Sequence, residues 1–282
     1  MLTEVRDTRL YVDRRGRSDA PPLLFVHGGP GAGSYDFMAF QGDRLARDFH
    51  LIGVDQRGVQ RSDPLNGPVS EQDLIADFEA LREHLGLRQW SVLSHSYGGR
   101  LALRYAAAHP ASVTRIVFEN PAWDIPLATE NLVRAALPLL PGAELPPHTG
   151  LATKQMWDER IAVIAQLGDR RMEIYLGPGS RDLQLPADTE LPDEYHQRSG
   201  HFSGEITNSP SFGEPVLQHF AQLTQPALLI KGEYDPATSP REIELFRSHV
   251  PDGTYYYATG AGHFVHAEQP ESFAQLVTDF FS

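Results

Sequence analysis

Ser94-His95-Ser96-Tyr97-Gly98-Gly99 stands between an apolar run, QWSVL at 89–93, and the helix-forming run RLALRYAAAH at 100–109. A serine on a strand-to-helix turn sits in a strained backbone that exposes its hydroxyl, and the positions two before and two after must be small because strand and helix crowd together there. Ser94 and Gly98 meet that condition. A serine hydroxyl is a weak nucleophile until a base takes its proton, and the base needs an acid behind it to fix its tautomer. Asp235 closes the strand-like run PALLIKGEYD and His263 lies in the loop GAGHF, which gives the chain order Ser, Asp, His. Glu233 is the rival acid and His266 the rival base, but Glu233 falls inside the strand run and His266 lies beyond the loop. Singly, a serine turn, an Asp-Pro turn or one of the twelve histidines has an ordinary structural explanation. Their order and their places at strand ends point together to nucleophilic catalysis, with Ser96 as nucleophile, His263 as general base and Asp235 as its orienting acid.

Such chemistry develops negative charge on a carbonyl oxygen, and backbone N–H groups aimed at that oxygen stabilise it. His27-Gly28-Gly29-Pro30-Gly31 follows the apolar run PPLLFV and offers glycines at which the backbone can approach a substrate. The expected oxyanion donors are the N–H of Gly29 and that of Tyr97, directly after the nucleophile; Pro30 has no N–H to give. Gly28 is expected to lie against the substrate. Neither a metal nor an organic cofactor is needed for this reaction.

The elements that must hold these residues can be read from hydrophobic patterning. Apolar runs at 21–29, 49–58 and 89–96 end in Gly, Ser, Asp or His, as buried parallel strands with functional tips do. Between them, Leu74, Ile75, Phe78, Leu81 and Leu85 recur at helical spacing and form one core-facing stripe. Strand and helix alternate again to residue 120 and resume from 226, which predicts an α/β fold with a doubly wound, mostly parallel sheet. Residues 121–225 break the pattern. Prolines cluster at 138, 141, 146 and 147, and apolar stretches at 133–140, 161–167 and 216–223 suggest short helices. The expected organisation is a core of 1–120 and 226–282 with a helical cap, 121–225, inserted after the sixth strand; a second independent domain fits less well because the sheet pattern resumes after the interruption.

The chain has 282 residues and a formal net charge of -13, which disfavours phosphate backbones and anionic lipid, so neither nucleic acid nor a membrane is an expected partner. The absence of cysteine removes disulfides, thiolate catalysis and cysteine-based zinc sites. The first sixteen residues mix charges with single apolar residues, unlike a secretory signal, and no stretch is apolar enough to span a bilayer. A soluble, cytoplasmic protein is expected, with its oligomeric state open.

HGGPG at 27–31, DQRG at 55–58 with Ser62 soon after, the Ser96 turn followed by GGRLALRYAAAHP, Asp235 and GAGH together resemble the proline iminopeptidase branch of the α/β-hydrolase family. The family often has Gly two before the nucleophile and Trp directly after it, where this chain has Ser94 and Tyr97. The resemblance implies an α/β-hydrolase fold and an aminopeptidase acting on the amino-terminal residue of a short peptide or a small amide. An exopeptidase of that kind needs carboxylates for the substrate ammonium, and Glu119, Glu194 and Glu205 are the candidates. Arg57 and Asp63 are expected to bridge loops near the pocket rather than to bind substrate. Two other readings stay open: an esterase or lactonase acting on an uncharged acyl compound, and a ligand-binding receptor that keeps the fold with negligible turnover.

Overall fold

A computed structural model describes residues 1–146 and 152–282. Eight strands form one sheet in the order β1-β2-β4-β3-β5-β6-β7-β8: β1 (Leu2–Val5), β2 (Thr8–Arg15), β3 (Pro22–Val26), β4 (His50–Asp55), β5 (Trp90–His95), β6 (Val113–Glu119), β7 (Ala227–Gly232) and β8 (Gly253–Ala258). The pairings from β4 through β8 are parallel, and the β1–β2 hairpin joins antiparallel through β2 to β4. The charged amino terminus therefore supplies two strands that its patterning did not announce.

Successive side chains of a strand point to opposite faces, and the parallel strands distribute their residues accordingly. Leu24, Val26, Val92, Ile116 and Leu229 join one core with Leu74, Phe78, Leu101 and Phe246. These four come from helices α2 (Glu71–His84), α3 (Tyr97–Ala108) and α8 (Pro240–His249). Leu23, Phe25, Leu93, Val117 and Leu228 face the other way, onto Phe37, Met38, Phe273 and Val277 of α1 (Tyr35–Leu45) and α10 (Pro270–Phe281). Burial on both faces explains why these strands read as continuous apolar runs.

Among the described residues every element between β6 and β7 is helical. These are α4 (Ile125–Ala136), α5 (Thr153–Ala165), the short α6 (Ala187–Glu190), α7 (Asp193–Asn208) and several 3-10 turns. Pro147 lies outside the described residues. Helix α7 was not expected: its sixteen residues bury only Phe202, Ile206 and Thr207 and include Gly200 and Gly204, so it lacks the stripe by which a helix is recognised. A small cluster of its own joins Leu132, Val133 and Ala136 to Ile164, Leu167 and Ile174. Trp123, Ile125, Phe202, Phe212 and Phe220 pack instead into the larger core under the sheet. The short α9 (Val265–Glu268) completes the elements.

Candidate active site

Ser96 joins β5 to α3 with φ +54° and ψ -125°, a region a side-chain-bearing residue enters at about 1–3 kcal/mol. Three hydrogen bonds hold it there: its N–H donates to the Glu119 carbonyl at 3.0 Å, and its carbonyl accepts from Gly99 at 2.9 Å and Ala122 at 3.0 Å. The crowding that demands small neighbours is visible at Gly98, where a Cβ would lie 2.3 Å from the Val26 carbonyl and 2.6 Å from that of His27. Ser94 is accommodated because its hydroxyl turns to the adjacent strand and donates to the Val117 carbonyl at 3.0 Å. Gly98→Ala is therefore expected to force α3 from the sheet and cost about 1–3 kcal/mol; thermal unfolding should show a midpoint at least about 3 °C lower.

His263 places Nδ1 2.6 Å from Asp235 Oδ1. Asp235 sits in the turn after β7, where its carboxylate also accepts from the N–H groups of Ala237 and Thr238, each at 3.0 Å, with Lys231 Nζ 3.4 Å away. Burial pushes its carboxyl up, but the hydrogen bond and charge of His263, with Lys231, outweigh this and hold it below the usual aspartate range. The loop bearing His263 is fastened from several sides. Its N–H donates to the Tyr175 carbonyl at 2.6 Å, and Glu268 accepts from the amides of Gly262, Phe264 and Gly177. Glu233 instead accepts from the Gly260 amide at 2.8 Å, and His266 pairs with Glu119 rather than Asp235. The structure brings Asp235 to His263 and neither rival to it.

Ser96, His263, Gly28, Gly29 and Tyr97 line one cavity of about 430 Å³. Gly28 must be glycine for a geometric reason, since a Cβ there would stand 2.7 Å from Ser96 Cβ and 3.3 Å from the Tyr97 nitrogen. Among the described residues neither Gly29 nor Tyr97 donates its N–H to a protein acceptor, and Tyr97 opens α3, where the first N–H groups are free and the helix dipole is positive. The Tyr97 side chain points away into a buried network: its hydroxyl donates to Glu71 at 2.9 Å, and Glu71 also pairs with Arg100 and Arg104, both at 2.7 Å.

Two carboxylates, Asp36 and Asp188, belong to the cavity wall. Asp36 accepts from the Ala187 amide at 2.7 Å, and no Lys or Arg pairs with either acid among the described residues. Burial pushes the Asp36 carboxyl up to about 6, with repulsion from Asp188 adding to the effect. The rest of the wall includes Ile125, Leu132, Trp157, Ile161 and Met172, with Arg171 as its one cationic side chain among the described residues, so the lining combines acidic and apolar residues.

The three glutamates expected to bind ammonium lie elsewhere. Glu119 is wholly buried, its carboxylate accepting from His266 N–H and Nδ1, each at 2.8 Å, with His95 Nδ1 3.2 Å away. Burial would raise its carboxyl, but the two imidazoles outweigh this and hold it well below the usual range. Burial drives His95 down to about 4, so that ring is neutral near pH 7. Helix α7 turns His196, Ser199 and Ser203 to the cavity; at 3.6 residues per turn Glu194 and Glu205 fall about half a turn away. Arg57 and Asp63 do bridge loops, each to another partner: Arg57 to Asp77 at 2.6 Å and to Asp7 at 2.9 Å, Asp63 to Arg9 at 2.8 Å. Neither lines the cavity. Nothing near Asp36 and Asp188 in sequence marks a site; they meet only when α6 folds against the start of α1.

A family model described as alpha/beta hydrolase fold matches residues 21–144, and one described as TAP-like protein matches residues 209–282. This chain has the α/β-hydrolase fold. A curated proline iminopeptidase from Heyndrickxia coagulans is 25% identical to it over 93% of this chain and 90% of the relative. The same fold occurs in a proline iminopeptidase-related protein from Thermus thermophilus, with TM-score 0.75, 21% identity and coverage of 99% of this chain and 95% of that chain. It occurs also in an enol-lactonase from Burkholderia xenovorans, with TM-score 0.71, 19% identity and coverage of 100% and 99%. Among the described residues no helix of this chain is long and apolar enough to cross a membrane.

Proposed function

We propose that this chain is a serine hydrolase that cleaves a small amide through an acyl-enzyme, as an aminopeptidase of the proline iminopeptidase type. The observation that carries the reading is the 2.6 Å contact of His263 Nδ1 with Asp235 in a cavity that also holds Ser96 and two unspent backbone donors. Asp235 keeps the proton on His263 Nδ1, leaving Nε2 free to take the Ser96 proton as Oγ attacks the carbonyl carbon. The N–H groups of Gly29 and Tyr97 hold the oxyanion. On collapse His263 protonates the leaving amine, and then activates the water that releases the acid and restores Ser96. The helical segment 121–225 acts as a cap that shapes the acyl pocket.

For the substrate, the acids Asp36 and Asp188 on the cavity wall, with which no Lys or Arg pairs among the described residues, suit a protonated amino group, and the apolar residues Ile125, Leu132, Trp157 and Met172 suit the side chain or ring of the residue released. Those apolar residues also favour a second reading, an esterase or lactonase on an uncharged acyl compound; the Burkholderia protein of shared fold is named an enol-lactonase. A receptor would bind without turnover and give no burst of product.

The readings separate on one comparison, an aminoacyl anilide against its N-acetyl form. A charged hydrogen bond is worth about 1.5–3 kcal/mol, so acetylation should lower kcat/KM at least roughly ten-fold, and Asp36→Asn should remove most of that difference. If the acetylated anilide reacts as well or better, the aminopeptidase reading fails. The ratio of the two rates should also rise as pH climbs through about 6, where Asp36 ionises. Its effect on stability runs the other way. A carboxyl whose folded value is raised favours the fold fully below the unfolded value of 3.8 and loses that contribution as pH rises through about 6. Asp36→Asn should therefore unfold at a higher temperature than wild type at pH 8 and show no gain at pH 4.

A further inference from the structure

The three loops that carry Ser96, Asp235 and His263 meet at the tip of β6, which lies between β5 and β7 in the sheet. Asn120 is the first residue beyond that strand, wholly buried, with φ +41°. Asparagine is one of the few side-chain-bearing residues that enters this left-handed region readily. Its N–H donates to the Ile230 carbonyl at 2.9 Å, on the strand that leads to Asp235. Its side chain reaches further. Oδ1 accepts from the Gly232 amide at 2.8 Å, while Nδ2 donates to the carbonyls of Gly262 at 3.0 Å and of His263 itself at 2.8 Å. The preceding residue, Glu119, accepts the Ser96 N–H on its carbonyl at 3.0 Å and the His266 N–H on its carboxylate at 2.8 Å.

We propose that Asn120 is a positioning residue for the reaction: its carboxamide ties the backbone of the base His263 to the strand that leads to the acid, on the same strand tip that holds the nucleophile. The inference rests on the reading of Ser96, His263 and Asp235 as nucleophile, base and acid. The chemistry of the amide decides the residue type. Two carbonyls need donors and one N–H needs an acceptor, all within one buried point, and a carboxamide is the side chain that offers both. An acid there would turn an oxygen on two carbonyl oxygens. An alkyl side chain would leave all three groups unpaired. The consequence is a fixed height of the His263 backbone relative to Ser96, and an error of about 1 Å in such an arrangement lowers rates roughly 100-fold.

Two substitutions isolate the carboxamide from the backbone. Asn120→Gly keeps the positive φ at no steric cost and removes all three side-chain bonds. Asn120→Asp keeps the acceptor for Gly232 and removes the donor to Gly262 and His263. Each variant is compared with wild type by the second-order rate of Ser96 acylation with a fluorophosphonate, counted per folded molecule by circular dichroism, and by kcat and KM on an anilide. The expected result is acylation and kcat lowered roughly 100-fold in both variants with KM within about three-fold. A residue that served only the fold would lower the unfolding temperature and leave kcat per folded molecule unchanged, and that result overturns the proposal. So does failure of both variants to fold, since it makes Asn120 a structural residue; if one folds, its kcat decides. A wild-type protein that does not label at Ser96 overturns the hydrolase reading itself, whereas labelling of wild type and of Asn120→Gly at equal rates overturns the positioning role alone.

Discussion

Ser96→Ala is expected to abolish labelling by a fluorophosphonate and to lower turnover on the order of a million-fold, the loss typical when the nucleophile of a Ser-His-Asp set is removed. The expectation follows from the geometry at the turn. Ser96 is the residue whose backbone is forced to φ +54°, and it stands beside two N–H groups, those of Gly29 and Tyr97, that no protein acceptor uses among the described residues. Purified Ser96→Ala that still labels at a single serine would move the nucleophile elsewhere. The same site offers a check on stability, because the strain belongs to the backbone and not to the hydroxyl. Alanine inherits it, whereas glycine enters that region without penalty. Ser96→Gly should therefore unfold at a higher temperature than Ser96→Ala, by an amount reflecting about 1–3 kcal/mol, with both equally inactive. Equal midpoints would mean that the turn is not strained.

Asp235→Asn is expected to lower kcat by about ten-thousand-fold while the fold survives. An amide at this position can present Nδ2–H toward His263 Nδ1, which forces the ring proton to Nε2 and leaves no lone pair for the Ser96 proton. The acid also serves the turn, through the amides of Ala237 and Thr238, and Asn retains one acceptor for that pair. Loss of one such bond costs about 1 kcal/mol, too little to unfold the chain, so circular dichroism should separate chemistry from folding. Glu233→Gln is the matched control. Its carboxylate faces the Gly260 amide, so turnover should change little. A large loss at Glu233 and a small one at Asp235 would place the acid two residues earlier. Stability should show the opposite pH sign from Asp36. A carboxyl held below its usual range favours the fold above the unfolded value of 3.8, and that contribution disappears as pH falls through the folded value. In Asp235→Asn that acid-side loss should be smaller.

Local chemistry and patterning determined much of this protein. Ser94 to Gly99 between an apolar run and a helical stripe can only be a tight turn, because strand and helix each require their own period and the chain must change direction within a few residues. Apolar runs buried on both faces dictate a parallel sheet covered by helices, and a parallel sheet puts its strand tips on one edge, where Ser96, Asp235 and His263 fall. What the sequence could not determine is which side chains face each other across long separations. Glu119 reads as an acid at a strand tip, yet two imidazoles from residues 95 and 266 enclose it. Asp36 and Asp188 are 152 positions apart, and only the fold of the helical segment over the start of α1 puts both on one cavity wall. Helix α7 is too polar to show a stripe, so the face it turns to the cavity was decided by its packing through Phe202 and Ile206. Asn120 looks like a turn residue in sequence; its role depends on carbonyls at 262 and 263 and an amide at 232 arriving at hydrogen-bonding distance. Periodicity reports what each element buries, whereas the meeting of distant polar groups depends on register and loop path, which no local pattern encodes.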